Sequence, residues 1–224
     1  MDVRFAQSRR GRLACRLLLT AAVVLPISIA AGCNMVAGLG YVLYGNRVDA
    51  QFVGLKGKKV VVVCRQSGGS SFSRDSTAFD EVGARITRLL RKNLGKKTRV
   101  VAYSKVTEYT DSHQWEQFSE VGEYLEADFV VGVDLERFNS DTGSTVQSGT
   151  AEIRITVHDI DNEDEVVYGP VQRTLKYPPS GPRPVGDVSQ HQFRGMFLDY
   201  VARHVAQHFY SHDATANFAE NRLQ

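Results

Sequence analysis

Apolar residues change their spacing along this chain, and each change marks an element. Val60-Val61-Val62-Val63-Cys64 is an unbroken, mostly β-branched run behind the polar turn Lys56-Gly57-Lys58-Lys59. So short a run without alternation predicts a strand buried on both faces. After the loop Ser67-Gly68-Gly69-Ser70-Ser71 the spacing becomes three and four, through Phe79, Val82, Ile86, Leu89 and Leu90. That period predicts a helix over Thr77 to Leu94, with this stripe inward and Arg85, Arg88, Arg91 and Lys92 on the wet side. Asp75 or Ser76 is placed to cap its first amides, and Gly95 offers the left-handed stop that a Cβ penalises. Val100-Val101-Ala102-Tyr103 predicts a second strand. Asp111 followed by Gln114 fits a reciprocal cap, opening a second helix that turns Trp115, Phe118, Val121 and Leu125 inward. Phe129-Val130-Val131-Gly132-Val133-Asp134-Leu135 predicts a third strand.

The period then falls to two. Ala151, Ile153, Ile155 and Val157 alternate with Glu152, Arg154, Thr156 and His158, which describes a sheet wet on one face. The acidic turn Asp161-Asn162-Glu163-Asp164 leads into a second extended segment, Val166 to Tyr177, so the pair reads as a hairpin. Pro170 donates no ladder bond and therefore predicts an edge strand or a bulge. Pro178, Pro179, Pro182 and Pro184 mark a rigid surface loop. A last helix is expected over Ser189 to Tyr210, with Phe193, Phe197, Tyr200, Val201 and Val205 inward. The fold class that follows is α/β (α+β): three layers, a mixed sheet with a β-α-β-α-β start, an antiparallel hairpin and a C-terminal helix. The expected divisions are an N-terminal leader over 1–32, a connector over 33–53, one domain over 54–212 and a flexible tail over 213–224.

Charge and composition sharpen the reading at the N-terminus. The 224 residues carry a formal charge of +2 and are 42% apolar, enough to bury a core and too nearly neutral for a strongly basic nucleic-acid binder. Five arginines (Arg4, Arg9, Arg10, Arg12, Arg16) and Asp2 precede the first long apolar run; without them 22 positive residues face 24 negative ones. Leu17 to Ala31 is that run. It lies near the lower limit for crossing a bilayer, ~17 residues, and its basic front and small-residue exit predict processing. Ala31-Gly32-Cys33 resembles the end of a bacterial lipoprotein signal, with Ala30 where that family usually carries leucine. The resemblance implies a signal peptide over 1–32, cleavage before Cys33, thioether lipidation of Cys33, a lipid-proximal connector over 33–53 and membrane lipid as a partner. Two or more acyl chains hold firmly where one does not. Asn34 is not acidic, which tips the expected placement slightly toward the outer membrane. The expected location is the cell envelope, facing the periplasm.

The remaining motifs carry little chemistry. The Ser67 to Ser71 loop lacks the placed lysine of a phosphate loop and the three-glycine spacing of a dinucleotide fold. His204, His208 and His212 step by four and so share one side of the expected last helix, a spacing at which imidazoles bind zinc. No acidic residue sits inside the pattern, so they are weak metal candidates and packed histidines by preference. Asp159, Asp161, Asn162, Glu163, Asp164 and Glu165 offer oxygen ligands but not the glycine and terminal glutamate of an EF-hand loop; a solvated turn is expected. Cys64 reads as a small buried hydrophobe. Lys56, Lys58, Lys59, Arg65, Lys96, Lys97 and Arg99 form a basic set near strand starts, with anionic headgroups or cell-wall polymer as candidate contacts. No catalytic residue, cofactor or nucleic-acid partner is predicted.

The succession Phe129 to Val133, Leu135 to Phe138, Ile153 to Ile160 and Glu165-Val166-Val167-Tyr168 resembles a group of envelope α/β domains. The group includes the curli-assembly lipoprotein, the lipoprotein activators of penicillin-binding proteins and the N-terminal domain of the Tol translocation protein. A glycine inside an apolar strand there precedes two antiparallel strands joined by a short acidic turn, and Asp159 to Tyr168 matches that phrase. The leader and the stretch Met35 to Cys64 also look like uncharacterised envelope lipoproteins of planctomycete-type bacteria. The resemblance implies a non-enzymatic module with an envelope protein as partner, oligomerisation being open. An accessory or assembly role is therefore expected, against a hydrolase or metal-dependent enzyme using the C-terminal histidines, or a passive structural component.

Overall fold

The computed structural model describes residues 47–67, 77–142, 145–162, 164–186 and 188–214. The leader, Cys33, residues 34–45, most of the Ser67 to Ser71 loop, the caps Asp75 and Ser76, and Glu163 lie outside them. The chain divides into a unit spanning Asp49–His212 and another made of Met1–Val48 with Asp213–Gln224. In chain order the strands are β1 (Arg47–Val48), β2 (Lys59–Gln66), β3 (Arg99–Val100), β4 (Phe129–Thr142), β5 (Val146–Asp159), β6 (Glu165–Tyr177), β7 (Arg183–Pro184) and β8 (His212–Asp213). The helices are α1 (Ala78–Asn93), α2 (Tyr103–Ser112), α3 (Phe118–Tyr124) and α4 (Gln190–Ala206).

The main sheet runs β3-β2-β4-β5-β6, with β7 also on β5. β2 pairs in parallel with β3 and β4. The pairs β4–β5, β5–β6 and β5–β7 are antiparallel. The valine run shows why the sheet needs cover on both sides. Val60, Val62 and Cys64 enter one core with Val82, Ile86 and Leu90 of α1 and Phe193, Phe197 and Val201 of α4. Val61 and Val63 enter a second core with Val106 of α2 and Phe118 and Val121 of α3. This is the mixed, three-layer arrangement the periodicity predicts. Alternation persists in β5, whose Ile153, Ile155 and Val157 face the first core while Arg154, Thr156 and His158 are only part-buried. β6 is an edge strand, and its register against β5 shifts beside Pro170, between Ile155 and Val157.

Three expectations are corrected. The second strand ends at Val100, and Tyr103 opens α2 instead. Its ring lies over Gly83 of α1, where an added Cβ would come within 2.3 Å of it, and its hydroxyl donates to Asp80 at 3.1 Å. That cross-layer contact fixes Tyr103 beside α1 where propensity alone favours a strand. The expected cap at Asp111 and Gln114 does not form; the carboxylate of Glu120 accepts from the amides of Glu116 and Gln117, at 3.1 and 2.8 Å, and opens α3. Arg85 is only partly in water and is engaged in an ion pair: Nε donates to Asp199 of α4 at 2.8 Å, and Arg194 of α4 donates to Glu81 at 2.7 Å, tying the two helices of one layer together. Burial alone would raise the Glu81 carboxyl, but Arg194 and Arg85 bring it below its ordinary value.

Gly132 explains why a glycine interrupts the apolar β4. A Cβ there would stand 2.8 Å from the Phe118 ring and 2.9 Å from Thr156 Oγ1, so the bare backbone is the seat of α3. Gly132→Val is expected to destabilise the fold by about 1–3 kcal/mol, the usual cost of overpacking, as read from urea unfolding. A change within about 0.5 kcal/mol, the range of an indifferent surface site, would show that Phe118 does not sit there.

Candidate functional site

The predicted lipidation residue Cys33 lies outside the described residues. The three histidines do not share a helix face, because α4 ends at Ala206 and only His204 rides it. His204 Nδ1 lies 3.0 Å from the carbonyl of Tyr200, and the two rings are 4.2 Å apart. Burial holds its pKa below the ordinary value. His212 Nδ1 lies 3.3 Å from the carbonyl of Tyr210. His208 is buried, with Nδ1 2.6 Å from the Tyr168 hydroxyl. That hydroxyl reaches Gln51 Oε1 at 2.9 Å. The Gln51 oxygen can only accept, which assigns the hydroxyl proton to it and leaves a neutral His208 to donate from Nδ1. The carbonyl of His208 also accepts from the amides of Gln51 and Phe52, at 2.8 and 3.0 Å. His208 therefore latches the segment entering the fold to β6 and to the end of α4. Burial, with smaller contributions from Arg173, His204 and His212, pushes its pKa down to about 4. Among the described residues no group of three or more His, Cys, Asp or Glu is placed to hold a metal ion.

A charged cluster that sequence spacing does not reveal lies on the α3 side of the sheet. Asp134 of β4 is buried, and Arg65 of β2 donates to it from Nε at 2.6 Å. Arg65 also donates to the carbonyl of Glu116 at 2.6 Å, and its guanidinium lies 4.3 Å from the centre of the Phe118 ring. His158 stands beside the same ring at 5.4 Å. Its Nδ1 is 2.9 Å from Asp164 and its Nε2 3.0 Å from Thr156 Oγ1. A fixed cation pairs with the carboxylate and both imidazole nitrogens are engaged, so the cluster locks α3 to the sheet. Cys64 is buried in the opposite core, where burial first, then Asp80 and Asp134, push its thiol well up; a thiol so protonated is a poor nucleophile.

The hairpin and the proline loop expose part of their length to solvent. Among the described residues no strand pairs with the outer edge of β6, along which Val166 and Val167 are exposed. Arg173 and Lys176 are exposed beside them, and charged edges of this kind discourage unselective strand pairing. The loop after β6 is anchored rather than free: Pro178 is buried, Gly181 donates to its carbonyl at 3.1 Å, and β7 pairs with Val146 and Gln147. No helix among the described residues is long and apolar enough to cross a membrane.

No protein-family model and no curated protein matches the chain. Several solved structures follow a similar chain path. A PelC dodecamer from Paraburkholderia phytofirmans aligns at a TM-score of 0.43 and 12% identity, over 72% of this chain and 94% of its own. Lipoprotein GNA1162 from Neisseria meningitidis aligns at 0.40 and 12%, over 66% of this chain and 97% of its own. A minor lipoprotein from Acinetobacter baumannii aligns at 0.30 and 14%, over 74% and 94%. At these scores the likeness is loose, and what those proteins do does not carry over to this one.

Proposed function

We propose that this chain is an envelope lipoprotein, cleaved before Cys33 and held to the membrane by acyl chains on it, whose folded unit serves as an accessory or assembly factor through protein contacts. The observation that carries the reading is the exit Ala31-Gly32-Cys33 behind a basic and then apolar leader. The outer edge of β6 and the anchored loop that follows it supply a contact surface on a rigid sheet, where binding segments commonly sit. The outer membrane is the favoured destination, since Asn34 rather than an acidic residue follows Cys33.

Cys33→Ser is the test. Expected results are complete loss of acyl labelling, persistence of the uncleaved leader and release of the chain from the membrane fraction once the leader is removed by a protease. Labelling and processing unchanged by the substitution would end the lipoprotein reading. The contact role is tested by crosslinking in intact cells: substitutions at Val166 and Val167 should abolish a specific crosslinked envelope protein while leaving acyl labelling of Cys33 intact.

A further inference from the structure

We propose that the rim of the sheet at the starts of β2 and β3 rests on an anionic membrane surface, formed by headgroups of the bilayer that holds Cys33. The inference builds on the lipoprotein reading and adds a second point of attachment and a tilt. Lys56 and Lys58 lead into β2, while Lys96, Lys97 and Arg99 lead into β3. The two turns lie side by side: the amide of Arg99 donates to the carbonyl of Lys58 at 2.9 Å, and the amide of Gly57 to Thr98 Oγ1 at 3.0 Å. Lys56, Lys96 and Lys97 border a shallow depression of about 340 Å³. Its glycines, Gly57 and Gly95, both have φ of +81° and open space where a Cβ would point.

All five cations are exposed. The ion pair at this rim belongs to the neighbouring Lys59, 3.5 Å from Glu126. Among the described residues no carboxylate pairs with Lys56, Lys58, Lys96, Lys97 or Arg99. Such unneutralised charge is attracted to anionic headgroups within about a Debye length, ~8 Å. Val53 stands at 59% exposure, its carbonyl accepting from the Lys56 amide at 3.3 Å, and adds an apolar contact suited to the interfacial zone.

Two further facts select a membrane over a soluble polyanion. Asp49, where the folded unit begins, follows Cys33 by 16 residues. Such a tether reaches at most ~55 Å and keeps the rim at high effective concentration near its own bilayer. The entering segment also runs along this same rim, where Phe52 packs against Phe129 at the start of β4 with centroids 6.3 Å apart. The rest of the rim is acidic: Glu126 and Asp128 precede β4, and Asp159, Asp161, Asp164 and Glu165 surround the β5–β6 turn. An anionic surface draws down the β3 side and repels the β6 side. The sheet therefore leans, and the outer edge of β6 is lifted away from the lipid.

The test uses the full chain isolated from membranes and reconstituted in phosphatidylcholine vesicles with and without phosphatidylglycerol. Amine-reactive labelling is followed residue by residue. At Lys56, Lys58, Lys96 and Lys97 the labelling rate should fall by about fivefold in the anionic vesicles, roughly what one lysine contributes at such a surface. Lys176, at the far end of β6, should be unaffected, and high salt should remove the difference. The combined change of Lys56, Lys96 and Lys97 to Gln, with thermal unfolding confirming the fold, should abolish protection of Lys58. Equal labelling in both vesicles, equal protection without vesicles, or equal protection by inorganic polyphosphate would each overturn the proposal. Acyl labelling of the same sample separates the two readings. An acylated chain with unprotected lysines overturns only the rim contact. An unacylated chain that is still protected on anionic vesicles overturns only the lipoprotein reading.

Discussion

Phe197→Ala is expected to lower the free energy of unfolding by about 3–5 kcal/mol, the range for removing a buried aromatic ring and leaving a cavity. The ring is fully buried on α4 and stacks on Phe138 of β4, centroids 4.8 Å apart, and on Tyr177 of β6 at 5.8 Å. It rests on bare backbone at Gly149 of β5, where an added Cβ would meet it at 2.7 Å. One side chain thus joins three strands to the C-terminal helix. Rigid strands on three sides cannot collapse into the vacated space, so the cost should fall in the upper part of the range. Phe197→Leu retains part of the volume and should cost about half as much. Denaturant unfolding of both variants gives the comparison, and a loss below about 1 kcal/mol for the alanine variant would contradict this account of the core.

Elements whose residues answer to one local period were legible in the sequence. The β-branched run at Val60, the stripe from Val82 to Leu90 and the alternation from Ala151 to Val157 each report burial on a face that the backbone geometry fixes. The elements set by distant partners were not. Tyr103 enters a helix because Gly83, twenty residues earlier on α1, leaves room for its ring. The pairing of Arg65 with Asp134 joins residues 69 apart, and no spacing within either strand announces it. The basic set illustrates both cases. Lys56, Lys58, Lys96, Lys97 and Arg99 do gather at strand starts, but Arg65 sits six residues after Lys59 on the same strand, about 20 Å away, and belongs to another site. The four-residue step of the histidines was visible, whereas the end of α4 at Ala206 was not. That end sends His208 into the core beside Tyr168, where it can no longer be matched with His204 on a shared face.

Burying His208 as a neutral imidazole makes the fold sensitive to mild acid, and the sign follows from the direction of its shift. Its pKa falls from 6.5 to about 4 on folding, chiefly through burial. Above pH 6.5 the side chain is neutral in both folded and unfolded chains, so its contribution to stability is fully present. As the pH drops, the unfolded chain takes up the proton first, and stability is lost progressively until the folded state also protonates near pH 4. The loss is of order 2–3 kcal/mol, from the free energy equivalent of a pKa shift. His204 shifts in the same direction and adds to the slope. Protonation would bring a charge into the space between Tyr168 and the end of α4 and weaken the latch on Gln51 and Phe52. His208→Gln keeps a donor toward the Tyr168 hydroxyl but cannot titrate. It should be less stable than the parent at neutral pH and lose less on acidification, so that the two unfolding curves converge between pH 6.5 and 4. Carboxylates that titrate in the same window are common to both chains and cancel in the difference. A parent and variant whose stabilities run parallel through that range would show that His208 is not held neutral by the fold.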